Sequence, residues 1–366
     1  MNLKRQIRRL LLLEGLSNFH LAGTAWVLLL TLRGFTPVQI GLAEGVFHLA
    51  SLCFELPSGM LADLMGRRGT LAASRGASLL SALTMLCSST GAGLCAAMVL
   101  DALSYNLSSG TREAMTYDSL LEAGQEGRYL KLSAVQNICW RGARAAALLC
   151  AGFTAALGWR RAYGLDVLVD ALALAVALGL REPAVGAPEV RPRLGELPQG
   201  FVRCGRDAAE FLRGNPSAGA LMLVNALVGA FATLLGFFLQ DGLVRADTGT
   251  AALGPLLLAA ALGGVAGSRL APRLEGLPYR LAGVLCAGGI ALAAGLCLTG
   301  VPALMALGGF LAGAGDDAFQ LLTDARLNAV VPSHRRATLL SVSSLVFSLV
   351  MLVLSPLAGA LWGALL

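Results

Sequence analysis

Apolar runs recur along the whole 366-residue chain, and each approaches the roughly 20 residues needed to cross a hydrocarbon core of about 30 Å. They predict about eleven helices, at 9–32, 38–62, 69–88, 92–121, 131–157, 161–180, 216–240, 250–271, 280–299, 302–325 and 336–360. The connections alternate in charge. Lys4, Arg5, Arg8 and Arg9, then Arg67 and Arg68, Arg128 and Lys131, Arg181 to Arg213, Arg269, Arg273 and Arg280, and finally Arg326, Arg335 and Arg336 fall on one side. The other side holds Arg33, Arg160, Arg161 and Arg245. Basic residues gather on the cytoplasmic face, so the N-terminus is expected inside and, with an odd count, the C-terminus outside.

The longest polar interval, from Arg181 to Pro216, carries Pro183, Pro188, Pro192 and Pro198 and then the amphipathic stretch Phe201 to Arg213. It reads as a hinge-like linker followed by a surface helix. The expected organisation is an N-terminal six-helix bundle (1–182), a cytoplasmic linker with an amphipathic helix (183–215) and a C-terminal five-helix bundle (216–366). Faint internal symmetry fits the division: Gly59-Met60-Leu61-Ala62 is echoed by Gly267-Ser268-Arg269-Leu270-Ala271, and Asn18 by Asn225.

Composition sharpens this picture. Hydrophobic residues make up 56% and charged residues only 14%, too apolar for a chain with a solvated surface. The net charge of +6 lies in short connections and forms no basic face for nucleic acid. Seven cysteines (Cys53, Cys87, Cys95, Cys139, Cys150, Cys286, Cys297) sit singly in apolar runs and Cys204 in a polar one, with neither disulfide nor zinc spacing. Met1 to Arg9 is basic, but the following run holds Glu14, Asn18 and His20 and reads as a retained helix. His20, His48 and His334 are isolated, and no nucleotide-binding G-x-x-x-x-G-K-S/T occurs. Enzyme chemistry, a metal, a cofactor and ATP-driven transport are therefore not expected.

Between the second and third runs stands Gly59-Met60-Leu61-Ala62-Asp63-Leu64-Met65-Gly66-Arg67-Arg68. Gly59 and Gly66 remove side chains where helix ends pass closely, and Arg67 and Arg68 suit helix carbonyl ends or anionic lipid heads. Asp63 can pair with an arginine, making the turn a latch on one conformation. The segment resembles the G-x-L-A-D-x-x-G-R-R/K signature of the major facilitator superfamily, matched at Gly59, Leu61, Ala62, Asp63, Gly66, Arg67 and Arg68. The flanks Phe54-Glu55-Leu56-Pro57-Ser58, Ser109-Gly110-Thr111-Arg112-Glu113-Ala114, Tyr117-Asp118-Ser119-Leu120 and Arg336-Ala337-Thr338-Leu339-Leu340-Ser341 look like a bacterial, drug-efflux-like branch.

That resemblance implies an all-α polytopic membrane protein of two bundles, a cavity lined by helices 1, 4, 7 and 10, and alternating access. Arg112, near the cytoplasmic end of its helix, joins the gating group. Two departures stand beside the resemblance. The family ordinarily has a twelfth helix, which appears absent after the eleventh, and Ala145 to Gly152 replaces the G-P-x-x-G-G pattern of proton-coupled drug antiporters.

An ionised side chain near the bilayer centre costs roughly 2.5–3.5 kcal/mol, so embedded charges are paired or line a water-filled path. Glu44, His48, Glu55, Gly59 and Asp63 share one face of the second helix. Asp101, Tyr105, Ser108 and Arg112 share one of the fourth, Asn137, Arg141 and Arg144 one of the fifth, and Asp316, Gln320 and Asp324 one of the tenth. The candidates for proton coupling are Glu14, Glu44, His48, Glu55 and Asp101. Those for the substrate cavity are Asn18, Arg141, Arg144, Asn225, Asp316 and Gln320. Alternatives stay open: Asp101 paired to Arg141 or Arg144, His48 as hydrogen-bonded packing, and Asp166 and Asp170 as structural pairs. The leading expectation is proton-coupled efflux of a small amphiphilic compound by a monomer in the inner membrane. Uptake of a small, possibly anionic solute, lipid movement and a non-transporting scaffold are the alternatives.

Overall fold

A computed structural model describes residues 2–184, 206, 209–330 and 336–365, with side chains except at 56–60, 63, 328, 330 and 336–341. The expected surface helix at 201–213 falls largely outside the described residues, of which 209–214 are helical. No strand occurs among the described residues, and every run expected to be helical is so over most of its length. Pro37–Glu55, Leu64–Cys87, Pro216–Arg245, Thr250–Leu274, Tyr279–Cys297 and Val342–Leu365 are each long and apolar enough to cross a bilayer. Large apolar side chains stay exposed, among them Leu130 (81%), Ile138 (70%) and Val284 (67%), as a lipid-facing surface requires.

Several expected helices are broken. The first is α1 (Leu3–Asn18), α2 (Leu21–Thr24) and α3 (Trp26–Leu32). Amide groups freed at the start of α2 find Asp166, whose Oδ1 accepts from Leu21 N–H at 2.7 Å and Oδ2 from Gly23 N–H at 2.8 Å. The second and third runs merge into α4 (Pro37–Cys87), where the expected loop has shrunk to one non-helical residue, Gly66, at φ 77°, ψ 165°. The fourth splits into α5 (Gly91–Ser108) and α6 (Thr111–Glu122) at Gly110, φ 72°. Arg112 therefore does not continue the face of Asp101, Tyr105 and Ser108, because the positive φ starts a new helix. The fifth splits into α7 (Tyr129–Leu149) and α8 (Ala151–Leu157). There follow α9 (Trp159–Leu178), α10 (Pro216–Arg245), α11 (Thr250–Leu274), α12 (Tyr279–Cys297), α13 (Pro302–Val330) and α14 (Arg336–Leu365).

Two compact units emerge from the contacts. Unit 1 comprises Met1–Thr24, Leu49–Ala147 and Leu157–Cys204. Its core joins α1, α4, α6 and α9 through Leu10, Leu13, Leu71, Met115, Ala173 and Ala177. Unit 2 comprises Ala25–His48, Leu148–Ala156 and Gly205–Leu366. Its core packs α10 to α13 around Phe319, Ile290, Cys286 and Val228. A Cβ at Gly263 or Gly267 of α11 would run into the carbonyls of Phe310 and Ala314 on α13, so backbone-to-backbone contact holds these two helices together.

Candidate functional site

In unit 1 the signature residues meet a carboxylate. Glu182 accepts from the N–H of Arg67 at 2.6 Å and of Arg68 at 2.7 Å, satisfying amides that begin the helix after Gly66. A Cβ on Gly66 would lie 2.8 Å from Glu182 Oε1. Arg67 Nε lies 3.5 Å from Asp118 Oδ2, while the Arg68 side chain is exposed. The side chain of Asp63 and the side-chain surroundings of Gly59, both expected in this latch, lie outside what the structure describes. Glu122, at the end of α6, accepts from the Ala184 N–H at 2.7 Å, which holds its carboxyl below the usual carboxylate range.

Glu14 and Asn18, expected one turn apart, are joined: Asn18 Nδ2 donates to Glu14 Oε1 at 3.2 Å. The same oxygen lies 2.8 Å from Arg112 Nη1, and Arg112 Nη2 is 2.6 Å from Glu113 Oε1. Glu14 is only 2% exposed, yet its buried Oε2 has no hydrogen-bond partner among the described residues. Arg112, expected among the gating residues, has Glu14 and Glu113 as its described charge partners.

Arg75 is a member of this unit that sequence reasoning passed over. It is 8% exposed, donates from Nη2 to Ser74 Oγ at 2.9 Å and Ser104 Oγ at 3.3 Å, and feels the charges of Asp170, Asp101 and Glu14. Its signal was a lone basic residue seven positions past Arg68, which a snorkelling side chain would give equally well.

The charge of Asp101 acts on Arg75 of α4. Arg141 stacks on Trp140, 5.2 Å from the ring centroid, and exposed Arg144 makes no ion pair among the described residues. Asp170 lies 3.0 Å from His20 Nε2, so the two aspartates of α9 serve structural pairing. Glu55 is partly buried, with its charge acting on Tyr105.

In unit 2, His48 Nε2 lies 3.3 Å from Glu44 Oε1, its Nδ1 3.3 Å from Ser348 Oγ, and its ring 5.7 Å from that of Phe347. Phe347 packs over Gly229 of α10, where a Cβ would be 3.4 Å from the ring and 3.3 Å from Asp316 Oδ1. Asn225, one turn earlier, has a buried Oδ1 with no hydrogen-bond partner. Gln320 is exposed. A second buried carboxylate, absent from the sequence-level candidates, is Asp241. Thr31, Arg245 and Trp362 satisfy it.

An all-helical, lipid-facing protein with buried charge networks of this kind is a polytopic membrane protein. The family model described as Major Facilitator Superfamily matches residues 10–353, and the chain belongs to that family. It is accordingly a member of a transporter family.

Comparison with curated proteins returns no match. Among solved structures the chain is similar to a mutant of nucleoside transporter NupG, at TM-score 0.78 and 15% identity, covering 100% of this chain and 95% of that one. It is also similar to an inward-facing, unoccupied bacterial homolog of the human lysosomal transporter Spinster, at TM-score 0.73 and 20% identity, covering 97% and 81%. For a D-xylose–proton symporter the values are 0.67 and 12%, covering 99% and 94%. At these identities the likeness speaks for the fold alone.

Proposed function

We propose that the protein is a proton-coupled efflux transporter of a small amphiphilic, drug-like compound, working as a monomer in the inner membrane with its N-terminus in the cytoplasm. The observation that carries this reading is the asymmetry of Glu14. One oxygen is committed to Arg112 and Asn18, while the other is buried and bare. A buried acceptor without a donor is costly, by about 1–3 kcal/mol, and a proton on Oε2 satisfies it. Protonation also neutralises Glu14 and weakens its hold on Arg112, which Glu113 already grips at 2.6 Å. The proton thus loosens a tie between α1 and α6.

In this reading the bundles 1–182 and 216–366, joined by 183–215, are the moving parts. Arg67, Arg68, Glu182 and Asp118 form the latch that one conformation engages and the other releases. The name of the D-xylose–proton symporter supports proton coupling as a chemistry this fold accommodates.

The test uses purified protein in liposomes with an imposed pH gradient. Wild type should drive substrate against its own gradient in exchange for protons, and Glu14→Gln should abolish uphill movement while downhill exchange persists. Unchanged uphill transport in Glu14→Gln, Glu55→Gln and Asp101→Asn alike would overturn carboxylate coupling. Substrate moving in the same direction as protons would replace efflux by uptake.

A further inference from the structure

Asp316 and Asp317 are neighbours in sequence but face different helices. Asp317 Oδ2 comes within 3.5 Å of Ser268 Oγ on α11, and a Cβ at Gly264 of that helix would sit 2.5 Å from the same oxygen. Asp316 instead faces α10, its Oδ1 over Gly229. Partly exposed, it makes no hydrogen bond or ion pair among the described residues. A carboxylate inside a helical bundle that lacks a counter-cation is expensive to keep ionised, and such groups mark ion or substrate paths.

The surroundings of this carboxylate share one chemical character. Asp316 Oδ1 and the Phe347 ring converge on Gly229, where a Cβ would lie 3.3 Å from the one and 3.4 Å from the other, and the His48 ring stands 5.7 Å from that of Phe347. One turn along α10, Asn225 Oδ1 is a second acceptor that finds no donor among the described residues. Two unmet acceptors and an aromatic ring lack the same thing, a positively charged N–H donor. A carboxylate offers it charge, an amide oxygen a hydrogen bond, and an aromatic ring a cation–π contact. An anion would meet only repulsion here, and a neutral solute would leave the Asp316 charge uncompensated.

We infer that Asp316, Asn225 and Phe347 form a subsite for the protonated amine of an organic cation, with Asp316 as its counter-ion and Gly229 as the residue whose missing side chain lets the carboxylate and the ring approach the same point. The inference rests on the transporter reading only in taking this amine to be part of the cargo. It requires neither proton coupling nor a particular direction.

The experiment is equilibrium binding to the detergent-purified full chain, read by fluorescence anisotropy with three dansyl probes of matched length. One ends in a primary ammonium, one in the N-acetylated neutral amine and one in a carboxylate. The ammonium probe should bind saturably and at least about tenfold more tightly than the neutral one, a gap of about 1.4 kcal/mol, and the carboxylate probe not at all. Asp316→Asn, which keeps shape and removes charge, should erase the ammonium preference without lowering the melting temperature. Phe347→Leu should weaken the ammonium probe severalfold, and Gly229→Leu should block both ammonium and neutral probes.

Wild-type affinity for the ammonium probe in Asp316→Asn, preference for the carboxylate probe, or no saturable binding of any probe would overturn the subsite. Ammonium binding that depends on Asp316 without gradient-driven transport in liposomes would leave the subsite standing and remove the coupling reading. Coupled transport of an anion alone would do the reverse.

Discussion

Trp362 Nε1 donates a hydrogen bond to Asp241 Oδ2 at 2.9 Å, and this ties the end of α14 to α10 within unit 2. Asp241 is fully buried, and its remaining capacity is taken by Thr31 Oγ1 at 2.8 Å and Arg245 Nε at 2.7 Å. Asp241→Asn removes the charge and puts an NH2 where donors converge. A fully buried pair costs about 3–5 kcal/mol to break, but Arg245 is 41% exposed and partly screened, so about 2–3 kcal/mol is expected. Trp362→Phe keeps the ring stacked on Phe238 and loses only the N–H, for about 1 kcal/mol. Thermal melting in detergent should rank wild type above Trp362→Phe and that above Asp241→Asn. Equal melting temperatures would show that the node carries no stability.

Gly66 and Glu182 form a coupled pair. Gly66→Ala places a Cβ 2.8 Å from the Glu182 carboxylate at a φ of 77°. The backbone penalty alone is about 1–2 kcal/mol. Adding Glu182→Ala removes the collision but not the φ strain, so the double variant should recover only part of the lost melting temperature. Glu182→Ala alone frees the amides of Arg67 and Arg68, and faster hydrogen exchange there is the expected readout.

Arg75 is the cation on which three carboxylates act, Asp170, Asp101 and Glu14. Arg75→Met keeps much of the side chain's volume but loses the charge and the hydrogen bonds to Ser74 and Ser104, at a cost of about 1–3 kcal/mol. Arg75→Lys retains charge but not the fork that reaches Ser74 and Ser104, and should fall between. A melting temperature for Arg75→Met equal to wild type would show that the carboxylates are compensated elsewhere.

Glu122 gives a pH dependence outside the membrane. The Ala184 amide holds its carboxyl below the usual range, so the folded pKa lies under the unfolded one. Its contribution is therefore present above the unfolded value of about 4.3 and is lost as pH falls through the folded one. Once corrected for the intrinsic pH dependence of exchange, protection of the Ala184 amide should be flat near neutrality and collapse in acid. Glu122→Gln should remove that pH dependence.

Some of the candidate site was legible before any coordinates. Glu14 and Asn18 are four residues apart on one helix, so their contact follows from helical spacing. The Gly66 turn could be read because a glycine followed by two arginines between apolar runs has few other structural meanings. Long-range partners could not be read this way. Nothing near Arg75 in the chain points to Asp170, and nothing near Asp241 points to Trp362. The same limit hid the effect of Asp101 on Arg75, which no spacing along the chain indicates. Helix breaks were missed for a related reason, since the amides opened at Leu21 and Gly23 are satisfied by Asp166, about 145 and 143 residues away.

The sequence by itself determined the solvent, the class of fold and the family signature, because these depend on the length of apolar runs and on residues adjacent in the chain. Only the tertiary structure decided which charges neutralise one another and which remain unmet. A hydrocarbon-length helix fixes where a side chain stands along its axis but not what faces it across the bundle. Arg112 on Glu14, the Asp101 charge acting on Arg75 and Asp316 without a partner among the described residues follow from packing between helices far apart in sequence.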